Sequence, residues 1–158
     1  MTVAPRIDLS AAALAYVRDF DWYVFPVGPD KKPLTPHGFK DATQDAGQIR
    51  QWWSRWPSAN IGVACGASGL VVIDIDVKDN APGLENWAKL TADREPIETA
   101  MARTPSGGFH CFFLAPDLVD IRNSAGKIAP GIDVRADGGY VIVPPSETDV
   151  GSYEWIQP

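Results

Sequence analysis

The stretch VVIDIDVK at residues 71–78 decides most of what this chain can become. It follows Gly69 and Leu70, is rich in β-branched residues and then alternates apolar with acidic, which reads as a strand ending at the rim of a sheet. Alternation sends Asp74 and Asp76 to one face, and the opposite set, Ile73, Ile75 and Val77, is expected to pack into a core. The two carboxylates are then roughly 7 Å apart at their Cα atoms. Left unpaired they repel, and partial burial raises the pKa of one of them. A divalent cation removes the conflict, and an oxygen-only ligand set suits Mg²⁺ or Mn²⁺. The plain alternative is a solvated strand end at which both side chains face water. The motif alone does not choose between them.

The rest of the chain supplies short elements around that strand. Leu14, Val17 and Arg18 fall at helical spacing within residues 10–20, with Asp8 or Ser10 available as a cap. Residues 22–27 (WYVFPV) read as a strand, followed by a Pro- and Gly-rich connection over residues 28–43. Ile49, Trp52, Trp53 and Trp56 recur at i, i+3, i+4 and i+7 and predict a helix over residues 45–56. That spacing makes the tryptophans a core stripe in preference to a base-stacking platform. Strands are expected at residues 60–65 and 70–76, a helix at 82–93, and strands at 101–104, 109–114, 132–135, 140–143 and 152–155. Gly107–Gly108 and Gly138–Gly139 look like hairpin turns between them. The fold class is α+β, with helices mostly in the first half and a mainly antiparallel sheet in the second.

At 158 residues, one domain spanning 1–158 is expected. Hydrophobic residues at 45% and charged residues at 22% place it among ordinary globular proteins. No apolar run is long enough to cross a bilayer. Asp8, Asp19 and Asp21 interrupt the N-terminal apolar segment, so no signal peptide is expected there. Cys65 and Cys111 lie in apolar segments and read as buried thiols, too few for a structural zinc site. A cytoplasmic setting follows. The net charge of −6 argues against a general nucleic-acid coating protein but leaves room for a local basic strip.

Two further segments offer chemistry, although each taken alone reads more readily as structure: a Gly-Gly hairpin with His110 as a core residue, and a structural Asp133. In TPSGGFH, residues 104–110, Gly107 and Gly108 let backbone amides approach a ligand, Ser106 offers a hydroxyl, and His110 offers a donor suited to phosphate oxygens. In GIDVR, residues 131–135, Asp133 adds a third carboxylate. Lys31, Lys32, Arg103, Arg122, Lys127 and Arg135 are candidate phosphate or template contacts, each of which by itself is more readily a solvated surface charge. Lys127 and Arg135 rank first because they flank the Asp133 strand.

Taken in order, these pieces resemble the bifunctional primase–polymerase domain of the archaeo-eukaryotic primase superfamily, found in phage and plasmid replication proteins. The resemblance rests on D-x-D at Asp74 and Asp76, S-G-G-x-H from Ser106 to His110, and the strand carrying Asp133. It extends to W-x-V-F-P-V, K-K-P, W-W-x-x-W-P, N-I-G-V-x-C-G and G-G-Y-V-x-x-P-P-S elsewhere in the chain. It implies a primase–polymerase fold with mixed or antiparallel sheets and flanking helices forming a cleft. It further implies template-directed nucleotidyl transfer with two Mg²⁺ or Mn²⁺ ions held by Asp74, Asp76 and Asp133. Ser106, Gly107, Gly108, His110, Lys32, Lys127 and Arg135 would then contact the NTP or dNTP, and single-stranded DNA would serve as template and primer. Many members of the family continue into a helical bundle and then a helicase, so the chain reads as the N-terminal part of a longer replication protein or as a naturally minimal one. The zinc-binding stem of some relatives has no counterpart in these residues. Two other classes remain in view: a noncatalytic replication-initiator module, and a two-metal nuclease, which needs no triphosphate cradle.

Overall fold

Aspartates set the first two helices. Asp8 accepts the Ala11 amide and caps α1 (Leu9–Phe20), while Asp45 accepts the Gln48 amide and caps α2 (Ala46–Arg55). Asp21, at φ 61°, closes α1 in the left-handed conformation. The computed structural model describes residues 7–117 and 120–157. Residues 1–6, part of the segment expected not to act as a signal peptide, lie outside the described residues, as does Pro158 at the end of the expected domain.

Two antiparallel sheets form the body. The smaller has the order β1–β2–β8, built from Val24–Val27, Asn60–Ala64 and Tyr140–Val143. The larger joins β3 (Leu70–Ile75), β4 (Met101–Arg103), β5 (Phe109–Leu114), β6 (Ser124–Ala129), β7 (Ile132–Arg135) and β11 (Glu154–Gln157) in the order β11–β4–β5–β3–β7–β6. A two-stranded ribbon pairs β9 (Glu147–Thr148) with β10 (Gly151–Ser152). A third helix, α3 (Gly83–Thr91), follows β3. The α+β reading holds.

The main core lies between the two sheets and the first two helices. It gathers Ala13 and Tyr16 of α1, Ile49 and Trp53 of α2, Val24, Ile61, Val63, Val141 and Val143 of the small sheet, and Leu70, Val72, Ala102 and Phe112 of the large one. Trp53 is buried and donates its indole N–H to the Ala59 carbonyl, and Trp52 and Trp56 pack half-buried beside it. The tryptophan stripe is therefore core. Cys65 and Cys111 are buried free thiols, and burial pushes them up to about 12 and about 11.

Several boundaries and two topological expectations are corrected. The third helix starts at Gly83, leaving Pro82 outside it, and β3 stops at Ile75, so Asp76 follows the strand. The expected strand at 152–155 is broken at Tyr153 into β10 and β11. Gly138–Gly139 is not a hairpin turn: β7 pairs with β3 and β6, whereas β8 pairs with β2, so the chain crosses between sheets there. The one-sided reading of β3 also changes: Ile73 and Ile75 do pack toward a core, as expected, but the face of Asp74 adjoins a larger one. Leu70 and Val72 lie in the main core, and alternation puts Asp74 on that same face. Ile75, on the other face, is buried, while Ile73 and Val77 are only half-buried. Asp74 therefore emerges where the main core gives way to a cleft.

Candidate active site

Register builds the site around Asp74. On one side β3 pairs with β5 so that Asp74 stands opposite His110; on the other it pairs with β7 so that Asp74 stands opposite Asp133. Directly opposed residues share a face, so the three side chains project together. His110 Nε2 lies 3.4 Å from Asp74 Oδ1. Arg135, two residues beyond Asp133 and hence on the same face, places Nη2 at 3.5 Å from Asp74 Oδ2 and 3.4 Å from Asp133 Oδ2. The remaining Asp133 oxygen, Oδ1, accepts the Gly126 amide at 2.8 Å. Burial opposes ionisation of Asp74, but the His110 ring and the Arg135 guanidinium outweigh it and hold the carboxyl below its usual range.

Asp76 is anchored through its backbone. Its N–H donates to the Gly131 carbonyl, its carbonyl accepts from Gly83, and its Oδ1 accepts from the Lys78 amide. The packing there requires glycine. A Cβ on Gly83 would come within 2.4 Å of the Asp76 carbonyl oxygen, and Gly131, at φ 80°, abuts the Gly83 backbone.

The cleft, of about 400 Å³, is lined by Asp74, Asp76, His110 and Arg135, with Thr104, Pro105 and Ser106 of the β4–β5 hairpin on one side. Gly107, at φ 93°, donates its amide to Thr104, and Gly108 hugs the Ile75 carbonyl, so both glycines shape the hairpin. Tyr140, Val141 and Ile142 of β8, with Tyr153, form the opposing wall. Burial pushes Tyr153 up to about 12, and the charge of Asp74 pushes the same way.

Of the sequence-derived candidates, Asp74, Asp76, Ser106, His110 and Arg135 line this cleft. Asp133 pairs with Asp74 at its floor without lining it, and Lys32 and Lys127 lie outside the lining. Lys31, named beside Lys32 as a candidate, does line the cleft: its φ of 67° turns the loop toward it, and its carbonyl accepts from the Tyr140 hydroxyl. Lys78, Thr104, Asn123, Tyr140 and Tyr153 were missed. Tyr140 had a signal in the GGY that follows Asp133; Asn123 had none.

The carboxylates are not gathered into a ready ligand cluster. Among the described residues, no group of three or more His, Cys, Asp or Glu side chains is arranged to hold a metal ion. The donor chemistry nevertheless fits a hard divalent cation, since Asp74 and Asp133 each turn one oxygen to a single cationic nitrogen.

An α+β domain with opposed acids on the floor of a polar cleft is a framework for phosphate chemistry. The chain belongs to the bifunctional DNA primase/polymerase N-terminal domain family, whose model matches residues 13–158. Membership implies DNA primase/polymerase activity, that is, a nucleotidyltransferase working on DNA and nucleotide substrates, in a family that generally uses divalent metals. No curated protein matches the chain in sequence. Among the described residues, no helix is long and apolar enough to cross a membrane.

Proposed function

We propose that the whole chain, residues 1–158, is a catalytic domain that adds nucleotides to a primer on a single-stranded DNA template, with Asp74, Asp76 and Asp133 as ligands for two Mg²⁺ or Mn²⁺ ions. The observation that carries this reading is the register that sets Asp74 directly between His110 and Asp133 at the floor of the cleft. When bound there, the ions would stabilise the entering and departing oxygens of an in-line displacement.

The chain's own groups do the positioning. Asp74 is held as a carboxylate by its neighbours and so is ready to bind a cation without first losing a proton. Ser106 and His110 receive the triphosphate, and Lys31, at the cleft wall, adds a positive charge for phosphate or template. Lys127, on the exposed edge strand β6, and Lys32 contact nucleic-acid backbone farther out. Tyr140, Ile142 and Tyr153 provide the apolar wall against which a sugar or base rests and from which water is excluded. The cellular setting proposed is cytoplasmic replication of a phage, prophage or plasmid, with a helical bundle or helicase domain C-terminal to this one.

Extension of a labelled primer by the wild type with Mg²⁺ or Mn²⁺, and its loss in Asp74→Asn, tests the reading. A folded wild type that neither extends a primer nor binds dNTP with Mn²⁺ would overturn it in favour of a noncatalytic DNA-binding module.

A further inference from the structure

Arg135 is placed unusually for a residue of a phosphate-binding cleft. It does not face open space but reaches back along the sheet to the two opposed carboxylates. Each carboxylate gives one oxygen to a partner on a neighbouring strand: Asp74 Oδ1 faces His110, and Asp133 Oδ1 accepts the Gly126 amide. The other oxygen of each, Oδ2, faces the same Arg135 nitrogen at 3.5 and 3.4 Å. Both contacts are long beside the roughly 2.7–2.9 Å of a well-formed charge-assisted bond. Neither is the two-pronged fork by which arginine locks onto a carboxylate.

The side chain also borders the open cleft. It is 33% exposed and lines the cleft, while its strand partner Val72 is buried beside it on β3. The guanidinium therefore neutralises the pair loosely, from a position that a second cation cannot share without strong like-charge repulsion. Its alternative site lies a side-chain rotation away, in the cleft, where a planar guanidinium matches phosphate oxygens better than it matches two separated carboxylates.

We propose that Arg135 is a two-position residue: it is the resident counter-ion of the Asp74–Asp133 pair when no divalent ion is bound, and it turns to the phosphates of the nucleotide when one is. Cation and triphosphate then bind cooperatively, because the ion releases the arginine that the triphosphate uses. This rests on the reading of Asp74 and Asp133 as cation ligands.

The test measures Mn²⁺ binding to the full chain from the free-ion paramagnetic resonance signal. It also measures binding of a non-hydrolysable deoxynucleoside triphosphate in saturating Mn²⁺. Wild type, Arg135→Gln, Arg135→Lys and Asp74→Asn are compared, with folding checked by thermal melting. Arg135→Gln is expected to bind Mn²⁺ alone about fivefold tighter, since two partly exposed ion contacts no longer compete. It should bind the triphosphate about tenfold more weakly, having lost a guanidinium–phosphate contact. These opposite shifts are the signature, because a merely structural arginine would weaken both. Arg135→Lys should retain Mn²⁺ affinity between the two and still lose triphosphate affinity. Unchanged or weaker Mn²⁺ binding by Arg135→Gln overturns the proposal. If that variant fails to fold, wild-type behaviour of Arg135→Lys in both assays overturns it instead. Loss of Mn²⁺ binding in Asp74→Asn with no Arg135 effect removes only the arginine's role. Wild-type Mn²⁺ binding by Asp74→Asn removes the metal assignment as well.

Discussion

The Tyr140 hydroxyl donates to the Lys31 carbonyl at 2.9 Å, joining the wall of the cleft to a loop 109 residues away in sequence. Lys31 sits at φ 67°, a conformation that costs a non-glycine residue about 1 kcal/mol and persists only when its surroundings hold it. The Lys31 amide bonded to Gly28 and the Lys32 amide bonded to Asp30 are the local part of that hold. Tyr140 is the distant part.

Tyr140→Phe is therefore predicted to loosen the loop that carries Lys31. Losing one hydrogen bond of about 0.7 kcal/mol raises KM for the nucleoside triphosphate about threefold while leaving kcat nearly unchanged. Steady-state primer extension over a range of dNTP concentrations reads the split. A fall in kcat at constant KM would show that Tyr140 acts on the reacting groups and not through the loop.

The opposed acids make a sharper prediction. Asp74→Asn and Asp133→Asn keep the shape of the side chain and remove its charge. Each should lower primer extension by at least about a hundredfold, the scale on which removal of one group that stabilises the transition state is felt. Both proteins should melt cooperatively, since Asp74 and Asp133 side chains remain 20% and 25% exposed and their strands pack through Val72, Ile132 and Val134. Full activity in Asp133→Asn would remove it from the site.

Gly83 and Gly131 carry a stability prediction. A methyl on Gly83 meets backbone oxygens of Asp76 and Gly131 at 2.4 and 2.6 Å, and neither belongs to a flexible side chain. Gly83→Ala should cost about 2–4 kcal/mol in urea unfolding and displace Asp76. Gly47→Ala, in α2, is the control of opposite sign. Its Cβ would meet only Asp45 oxygens at 3.7 Å, and the change should stabilise by about 0.5 kcal/mol.

Alkaline stability should report on Tyr16. Its buried hydroxyl donates to the Pro144 carbonyl and accepts the Trp155 indole N–H, and burial pushes it from 10.0 up to about 12. The unfolded chain therefore loses this proton first. Stability that is complete below pH 10 falls as the pH rises toward 12, by about 2–3 kcal/mol at the end of the window. Tyr16→Phe should be less stable at pH 8 by about 1–2 kcal/mol for the lost bonds, yet approach the wild type as the pH rises. Urea midpoints of the two proteins between pH 8 and 11.5 isolate the difference from the other alkaline groups. Parallel curves would refute it.

What was legible in the sequence was whatever local periodicity encodes. The start of the first helix at Asp8 or Ser10, the start of the second near Asp45, the tryptophan stripe and the Gly107 hairpin all follow from contacts within a few residues. What was hidden depends on partners distant in the chain. A diglycine between two β runs looks the same whether the strands pair or part, so Gly138–Gly139 was misassigned. Strand β6, SAGKIA, is exposed, lacks alternation and owes its structure to pairing with β7, and so left no pattern to find. The core on the Asp74 face went unread for a related reason. Both faces of β3 are apolar along most of its length, and only the position of the second sheet tells them apart. At the candidate site, Asp74, Asp76 and His110 could be named only from their motifs read together, whereas Asn123 and Tyr153 reach the cleft only through tertiary folding.

The crossover at residues 136–139 gives the cleft a fixed gauge. Asp133 on its floor and Tyr140 on its wall are joined by this short segment, whose slack is taken up at every step. Ala136 is buried, the Gly139 amide bonds to its carbonyl, and the Gly139 carbonyl accepts from Cys65. Side chains from elsewhere press on the same track, Asn123 against Gly139, while Asp137 itself lies against Gly66. The bore of the cavity is thus written into the covalent chain as well as into the packing of two sheets. Loops at its mouth can lengthen or shorten and alter what is admitted. One residue more or less between Ala136 and Gly139 would change the caliber itself.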